Sequence, residues 1–311
     1  MFYLSFLSLV SFLTFSFSGF AQESKHVIFG DVRDVSPRTT ALFVLMGGGD
    51  LDQASLRQMI QSSGRGDIVV LRAVEDQWLS QEIYKVGTMN SVHTLTVPSR
   101  EAAFEKNVFE TLMKAEAVFI AGGDQARYHN YWKDTPVSEA LNALVRRQVP
   151  IGGTSAGLAI LGDYYFSALQ GSVSAAEVLM EPHHERISLH TDFLKIPHLS
   201  KVITDSHFQE RDRMGRLLAF TARLNFEYGV VVHGLGVNEG TSYVFDGHGK
   251  SWVNGRSSVF LVTPQPAETD RLESPLKGLY SVIRWSAGAK SAPYYLRAVN
   301  GKILSSTGSV Y

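Results

Sequence analysis

The sequence predicts an α/β protein: a doubly wound, mostly parallel sheet flanked by helices, with a β-rich C-terminal portion. Three observations predict it. Between Thr40 and Leu161, short apolar runs alternate with stretches of helical period. That is the βαβα rhythm of a sheet whose crossovers cover both faces. Three of the apolar runs open directly into glycine turns, at Gly47, Gly122 and Gly152. After Tyr228 the pattern changes to brief strands and hairpin turns, such as "DGHGK" at Asp246.

The elements follow in order. "ALFVLMGGGD" reads as a buried strand opening into a turn, and "ASLRQMIQSS" as a helix ending near Gly64. "DIVVLRAV" is a second strand, "QWLSQEIYKVGTM" a second helix and "VHTLTVPS" a short strand. "REAAFEKNVFETLMKA" reads as one helix, with Phe104, Val108, Leu112 and Met113 on one face. "EAVFIAGGDQ" is a strand into a turn, "VSEALNALVRRQ" a helix, and "VPIGGTSAGLAIL" a strand, a turn and a helix. The stretch "EPHHERISLHTDFLKI" is polar and irregular. "KVITDSHF" then enters as a strand, and "RDRMGRLLAFTARL" is helical. All three glycine turns should lie at the carboxyl edge of the sheet, where α/β proteins place their sites.

Composition narrows the function. The formal net charge is −1 over 311 residues, which gives no reason to expect nucleic acid or an anionic membrane as partner. There is no cysteine, so disulfides, zinc–thiolate sites and a cysteine nucleophile are excluded. His183, His184, His190 and His198 match no metal-ligand spacing. The opening "MFYLSFLSLVSFLTFSFSGFAQES" is apolar and uncharged as far as Glu23, and Gly19-Phe20-Ala21 forms a small-x-small end. It reads as an export signal cleaved after Ala21, with a membrane anchor as the alternative. The expected partition is a signal over 1–21, a catalytic domain over 22–262, and a β/loop extension of the same domain over 263–311. The mature protein is expected to be periplasmic or extracellular.

Four motifs carry chemistry. In "GGTSAG", Ser155 stands between Gly153 and Gly157. A serine on a sharp strand-to-helix bend is exposed for attack, with a helix N-terminus beneath it to favour an oxyanion. The bland alternative is a tight packing turn. In "AGGDQ" the backbone N–H groups are candidate oxyanion donors and Gln125 a substrate ligand; the alternative is a turn in which Asp124 caps a helix. "DSHFQERDRMGRL" puts His207 just past a strand, as a base for Ser155, followed by Arg211, Arg213 and Arg216. Guanidinium forks suit a carboxylate. Internal matching of some of them by Glu210 or Asp212 would leave at least one for substrate. "GLGVNEGT" supplies Glu239 to orient the imidazole, with Glu177 and Asp205 as rivals. Asp205 is so near His207 in sequence that a role in the strand end or the substrate pocket suits it better.

Taken in order, "FIAGGDQ", "GGTSAG", "DSHFQERDRMGRL" and "GLGVNEGT" resemble the cyanophycinase and peptidase E group of serine peptidases, the S51 type, over roughly Ala41 to Phe245. The resemblance implies a fold like the class I glutamine amidotransferase domain. It implies Ser155 as nucleophile, His207 as base and Glu239 as third member. It puts Gln125, Arg211, Arg213 and Arg216 in the substrate pocket, calls for no metal or organic cofactor, and often goes with a homodimer. Two departures fall near that pocket: Ser206 stands where the family usually has glutamine, and Leu158 where it usually has alanine. They bear on the exact substrate. The expected activity is hydrolysis of β-aspartyl (isopeptide) or small acidic peptides, cyanophycin-like polymer included. The acyl-enzyme forms on Ser155 and the N–H groups of Gly123 and Ala156 hold the oxyanion. The alternatives are a non-catalytic exported binder of an acidic peptide, or an esterase or amidotransferase-like activity on the same fold.

Overall fold

The computed structural model describes residues 22–265 and 271–311. The first half of the chain runs β1 (Lys25–Gly30), β2 (Leu42–Met46), α1 (Gln53–Ser62), β3 (Asp67–Arg72), α2 (Trp78–Val86), β4 (Ser91–Thr96), α3 (Lys106–Lys114), β5 (Ala117–Ile120), α4 (Gln125–Trp132), α5 (Pro136–Arg146), β6 (Ile151–Thr154) and α6 (Ala156–Ala159). The second half runs β7 (Tyr164–Phe166), α7 (Ala175–Met180), β8 (Leu189–Thr191), β9 (Val202–Asp205), α8 (Met214–Tyr228), β10 (His233–Val237), β11 (Thr241–Asp246), β12 (Ser251–Gly255), β13 (Ser258–Pro264), β14 (Gly278–Ser286), β15 (Ala289–Lys290), β16 (Tyr294–Val299) and β17 (Lys302–Ser305).

These strands form two sheets. The first has the order β1-β4-β3-β5-β6-β2-β11-β12. Its central run from β4 to β2 is parallel, and the flanking pairs are antiparallel. Alternation along β3 shows how both faces are covered. Ile68 and Val70 join the core under α1 and α2, while Val69 and Leu71 join the core that includes residues of α3 and α5. A strand buried on both faces is apolar at every position, and "DIVVLR" is nearly that. The second sheet runs β17-β16-β14-β13-β10-β9-β7-β8, with β15 beside β14. One of its faces adds Leu235, Val237 and Val259 to the central core, and the other packs Phe260, Val262 and Tyr280 under α7 and α8. Strands β14 to β17 thus belong to a sheet that starts at β7, and β13 crosses the expected 262/263 boundary. The stretch expected to be a signal, 1–21, lies outside the described residues.

Several elements differ from expectation where contacts from distant parts of the chain intervene. The helix expected over Arg100–Ala115 breaks at Glu105, which is extended (φ −65, ψ 131) between a short 3₁₀ turn and α3. The Glu105 carboxylate accepts the Ser24 N–H at 2.9 Å, tying that point to the N-terminal segment, and Phe104 is left exposed. The helix after Ser155 is only four residues long. Thr204 Oγ1 donates to the carbonyls of Leu158 and Ala159 at 3.0 and 3.2 Å, occupying acceptors that a longer helix would use. The irregular stretch after Glu181 holds β8, and β1 adds an edge strand before Thr40.

Candidate active site

The parts of the site lie where the two sheets meet. Ser155 follows β6 at φ 55, ψ −118, a backbone conformation that costs a non-glycine residue of order 1–3 kcal/mol. Its neighbours permit the bend. A Cβ on Gly153 would fall 2.6 Å from the Gly157 carbonyl, and one on Gly157 would fall 2.2 Å from the Ile120 oxygen. The resulting turn brings Ser155 Oγ to 2.7 Å from His207 Nε2. His207 Nδ1 lies 2.5 Å from Glu239 Oε1. With a carboxylate on Nδ1, that nitrogen carries the proton and Nε2 is the acceptor for the serine hydroxyl.

His207 itself sits at φ 44 and its N–H donates to the Gly47 carbonyl at 2.7 Å. The first glycine turn is the cradle for this relay, a role that sequence reading did not assign. A Cβ on Gly48 (φ +98) would lie 2.3 Å from the imidazole, and one on Gly49 would lie 2.9 Å from the Glu239 side chain. The signal was present as three successive glycines at a strand's carboxyl end, but nothing in the sequence says which side chain fills the space. Burial is the first influence on His207 and pushes its pKa down. The Glu239 bond pulls it up, Arg211 and Arg213 push it down again, and the net is below the ordinary histidine value. The imidazole is therefore neutral at pH 7.

Glu177, the rival acid, is elsewhere. It forms a capping box with Ser174 at the start of α7 and pairs with Arg186. Accepting from the Ser174 backbone, above all, holds its carboxyl down at about 2. Asp205 is buried and gripped by Arg216, with Nε–Oδ2 at 2.7 Å and Nη2–Oδ1 at 2.5 Å, and by Arg213 Nη1 at 3.2 Å. Burial raises the Asp205 carboxyl, but the two guanidinium charges and their bonds outweigh it, leaving the pKa below the usual range. Burial likewise lowers Arg213 to about 10, still charged at neutral pH.

The arginine segment thus differs from expectation. Asp205, not Glu210 or Asp212, matches the cluster. The physical cause is that α8 begins only at Met214, so residues 207–213 loop back and turn Arg213 inward beside Arg216. Arg216 is 3% exposed and also faces the Phe166 and Phe220 rings. Ser206 is buried, and its carbonyl accepts from Arg213 at 2.6 Å. Arg211 alone is exposed, with no side-chain partner among the described residues.

Ser155 N–H donates to the Met46 carbonyl at 3.1 Å, so it is committed. Ala156 opens α6, and its N–H has no acceptor one turn back; with four residues, α6 adds little dipole. Facing the serine is the second glycine turn: a Cβ on Gly122 would lie 3.7 Å from Ser155 Oγ. Tyr128 OH lies 2.8 and 2.9 Å from the Ala121 and Gly122 carbonyls, which fixes the peptide that carries the Gly123 N–H. Asp124 caps α4 through Ala126 N–H, and Gln125 Nε2 reaches the Phe166 carbonyl at 3.5 Å. A cavity of about 210 Å³ opens beside Ser155, bounded by Gly48, Gly49, Gly122, Arg72 and Trp78. Arg72 is the last residue of β3, at the carboxyl edge, and is braced by Asp76 at 3.0 Å. The edge rule reaches Arg72, but strand reading passed over it. Among the described residues, no group of three or more His, Asp or Glu is placed to hold a metal ion.

Comparison with known proteins decides the family. The profile of peptidase family S51 matches residues 71–251. The chain belongs to peptidase family S51. It is 29% identical over 241 residues to a cyanophycinase of Trichormus variabilis, covering 74% of this chain and 76% of that one. It is 30% identical over 188 residues to a cyanophycinase of Synechococcus elongatus, covering 60% of this chain and 54% of that one. Among solved structures, a peptidase from an acI-B1 actinobacterium superposes with a TM-score of 0.56 at 15% identity, covering 83% of this chain and 98% of that one. At that identity the likeness speaks for a shared α/β fold. The S51 match spans Ser155, His207 and Glu239 together.

Proposed function

We propose that this S51 peptidase is an exported serine hydrolase that cleaves β-aspartyl or other small acidic peptides through an acyl-enzyme on Ser155. The observation that carries the reading is the unbroken relay Ser155–His207–Glu239, with links of 2.7 and 2.5 Å, starting from a serine at positive φ. Ser155 Oγ attacks the scissile carbonyl as its proton passes to His207 Nε2. Glu239 stabilises the imidazolium through Nδ1. The N–H groups of Gly123 and Ala156 receive the developing oxyanion. The proton on Nε2 then goes to the leaving amine as the C–N bond breaks. Water attacks the ester, gives its proton to Nε2, and Ser155 leaves with that proton restored. No step calls for a metal or organic cofactor.

The substrate class is supported by Arg211, an exposed cation beside the base, and by relatives that are cyanophycinases. Cyanophycin, an aspartate backbone bearing arginine on each β-carboxyl, is the first polymer to try. Export rests on the sequence of residues 1–21, and its check is the mass of protein recovered from a secreting host, which should begin at Gln22. Kinship with the class I glutamine amidotransferase fold, a homodimer, and substrate contacts from Gln125 belong to the same proposal. An amidotransferase activity is disfavoured because the chain has no cysteine for its elbow.

The test is incubation with cyanophycin and with matched β-aspartyl and α-linked dipeptides, identifying products by mass. Ser155→Ala should fold normally and lose several orders of magnitude in rate. A folded Ser155→Ala protein that still hydrolyses substrate would sink the mechanism. Wild-type protein that takes up no serine-directed fluorophosphonate would favour a non-catalytic binder.

A further inference from the structure

We infer that Tyr311 is a positioning residue for His207, through which the second sheet takes part in the site; the inference rests on the reading of His207 as the base. The segment from Ser206 to Arg213 contains two non-glycine residues at positive φ, His207 at 44 and Asp212 at 46. Such a loop keeps its shape only where its surroundings over-determine it. On its inner side it is held by His207 N–H to Gly47 O, Phe208 N–H to Val237 O and Gln209 N–H to Asn238 Oδ1, at 2.7, 3.2 and 3.0 Å.

The outer side is held by Tyr311. Its hydroxyl donates to Asp212 Oδ1 at 2.7 Å and accepts the Met214 N–H at 3.1 Å. Met214 is the first residue of α8, so its N–H has no intrahelical acceptor. The residue before it, Arg213, supplies no side-chain cap. A phenol from 97 residues away therefore does the work of an N-cap. The same ring stands edge-on to Phe208 at 6.0 Å and to Phe260 of β13 at 5.7 Å between centroids. Phe208 is covalently next to His207 and Asp212 is next to Arg211. One side chain thus grips both flanks of the loop that carries the imidazole and its neighbouring cation. Upstream, the Val310 carbonyl accepts from Tyr294 of β16 at 3.3 Å, anchoring this clamp to the second sheet.

The test uses full-length protein and the second-order rate of Ser155 labelling by a fluorophosphonate, followed across pH. Tyr311→Phe keeps the ring and removes both hydrogen bonds. We expect its labelling rate to fall about tenfold or more, since small misplacement of a catalytic group is costly, with the acid limb displaced from that of the wild type. Ile60→Ala, a cavity in the separate core under α1 and α2, serves as the destabilised control and should label at the wild-type rate well below its melting temperature. Asp212→Ala should lower the rate, and adding it to Tyr311→Phe should lower the rate no further, because the bond to Asp212 is one of the two that Tyr311→Phe already removes. If Tyr311→Phe labels as fast as wild type with the same acid limb, or falls only as far as Ile60→Ala does, the positioning role is overturned. Failure of the wild type itself to label would instead count against Ser155 and His207 as a catalytic pair.

Discussion

At the scale of single residues, the site is a set of strained or crowded positions holding three side chains in line. Ser155 and His207 both take backbone angles that favour glycine, and real glycines stand wherever a Cβ would strike the relay. Burial first, then the charges of Arg211 and Arg213, keep His207 neutral below the ordinary histidine range. A base with a depressed pKa remains unprotonated further into acid. The acid limb of kcat/KM is therefore expected below pH 6.5, and stability linked to this group should decline as pH falls from about 6.5 through the folded value. Arg211→Ala removes one like charge, so it should move the limb to higher pH. It should also raise KM for free-acid substrates more than for amidated ones. An unmoved limb with equal KM effects would leave Arg211 without either role. Most of these residues were legible from motif order, since glycine spacing and residue type announce a nucleophile turn. The burial of Arg216 and Ser206 was not legible, because charge composition does not tell whether a guanidinium faces solvent or a buried carboxylate.

At the scale of elements, β9 and α8 are bolted together by Asp205, at the end of β9, and by Arg213 and Arg216 around the start of α8. Removing one partner of a buried ion pair leaves the others uncompensated. Asp205→Asn should thus lose about 3–5 kcal/mol of stability, measured by urea unfolding. Because the Asp205 carboxyl titrates lower in the folded state, its contribution is fully present above the unfolded value near 3.9 and fades as pH falls through the folded one. The variant should show a flatter acid limb of stability than the wild type. Strands and the longer helices were legible because apolar period is a local signal. The break at Glu105 and the early stop after Ala159 were not: one is made by a carboxylate bonding to Ser24, the other by a threonine hydroxyl 45 residues further on.

At the scale of the whole molecule, sequence reading saw one sheet and a tail. The described strands form two sheets, and β13 to β17 belong to the second. β15 and β17 are too short to announce their partners, β14 carries apolar Leu279 and Ile283 at its half-exposed positions as well as Tyr280 and Val282 at its buried ones, and the parallel pairing of β9 with β10 across α8 has no local signature. The members of the proposed relay are divided between these layers. Ser155 leaves β6 in the first sheet and His207 leaves β9 in the second. Glu239 sits in the three-residue link by which the chain passes from β10 of one to β11 of the other.

That division makes the relay a vernier. A serine and a histidine mounted on separate plates read out the offset between the plates, and a slip of about 1 Å is enough to silence the chemistry while leaving every strand intact. On gradual heating, turnover and fluorophosphonate labelling should therefore fade several degrees before far-ultraviolet circular dichroism changes, and should return on cooling. Simultaneous loss of turnover and secondary structure would mean that the two plates move only when the molecule as a whole comes apart.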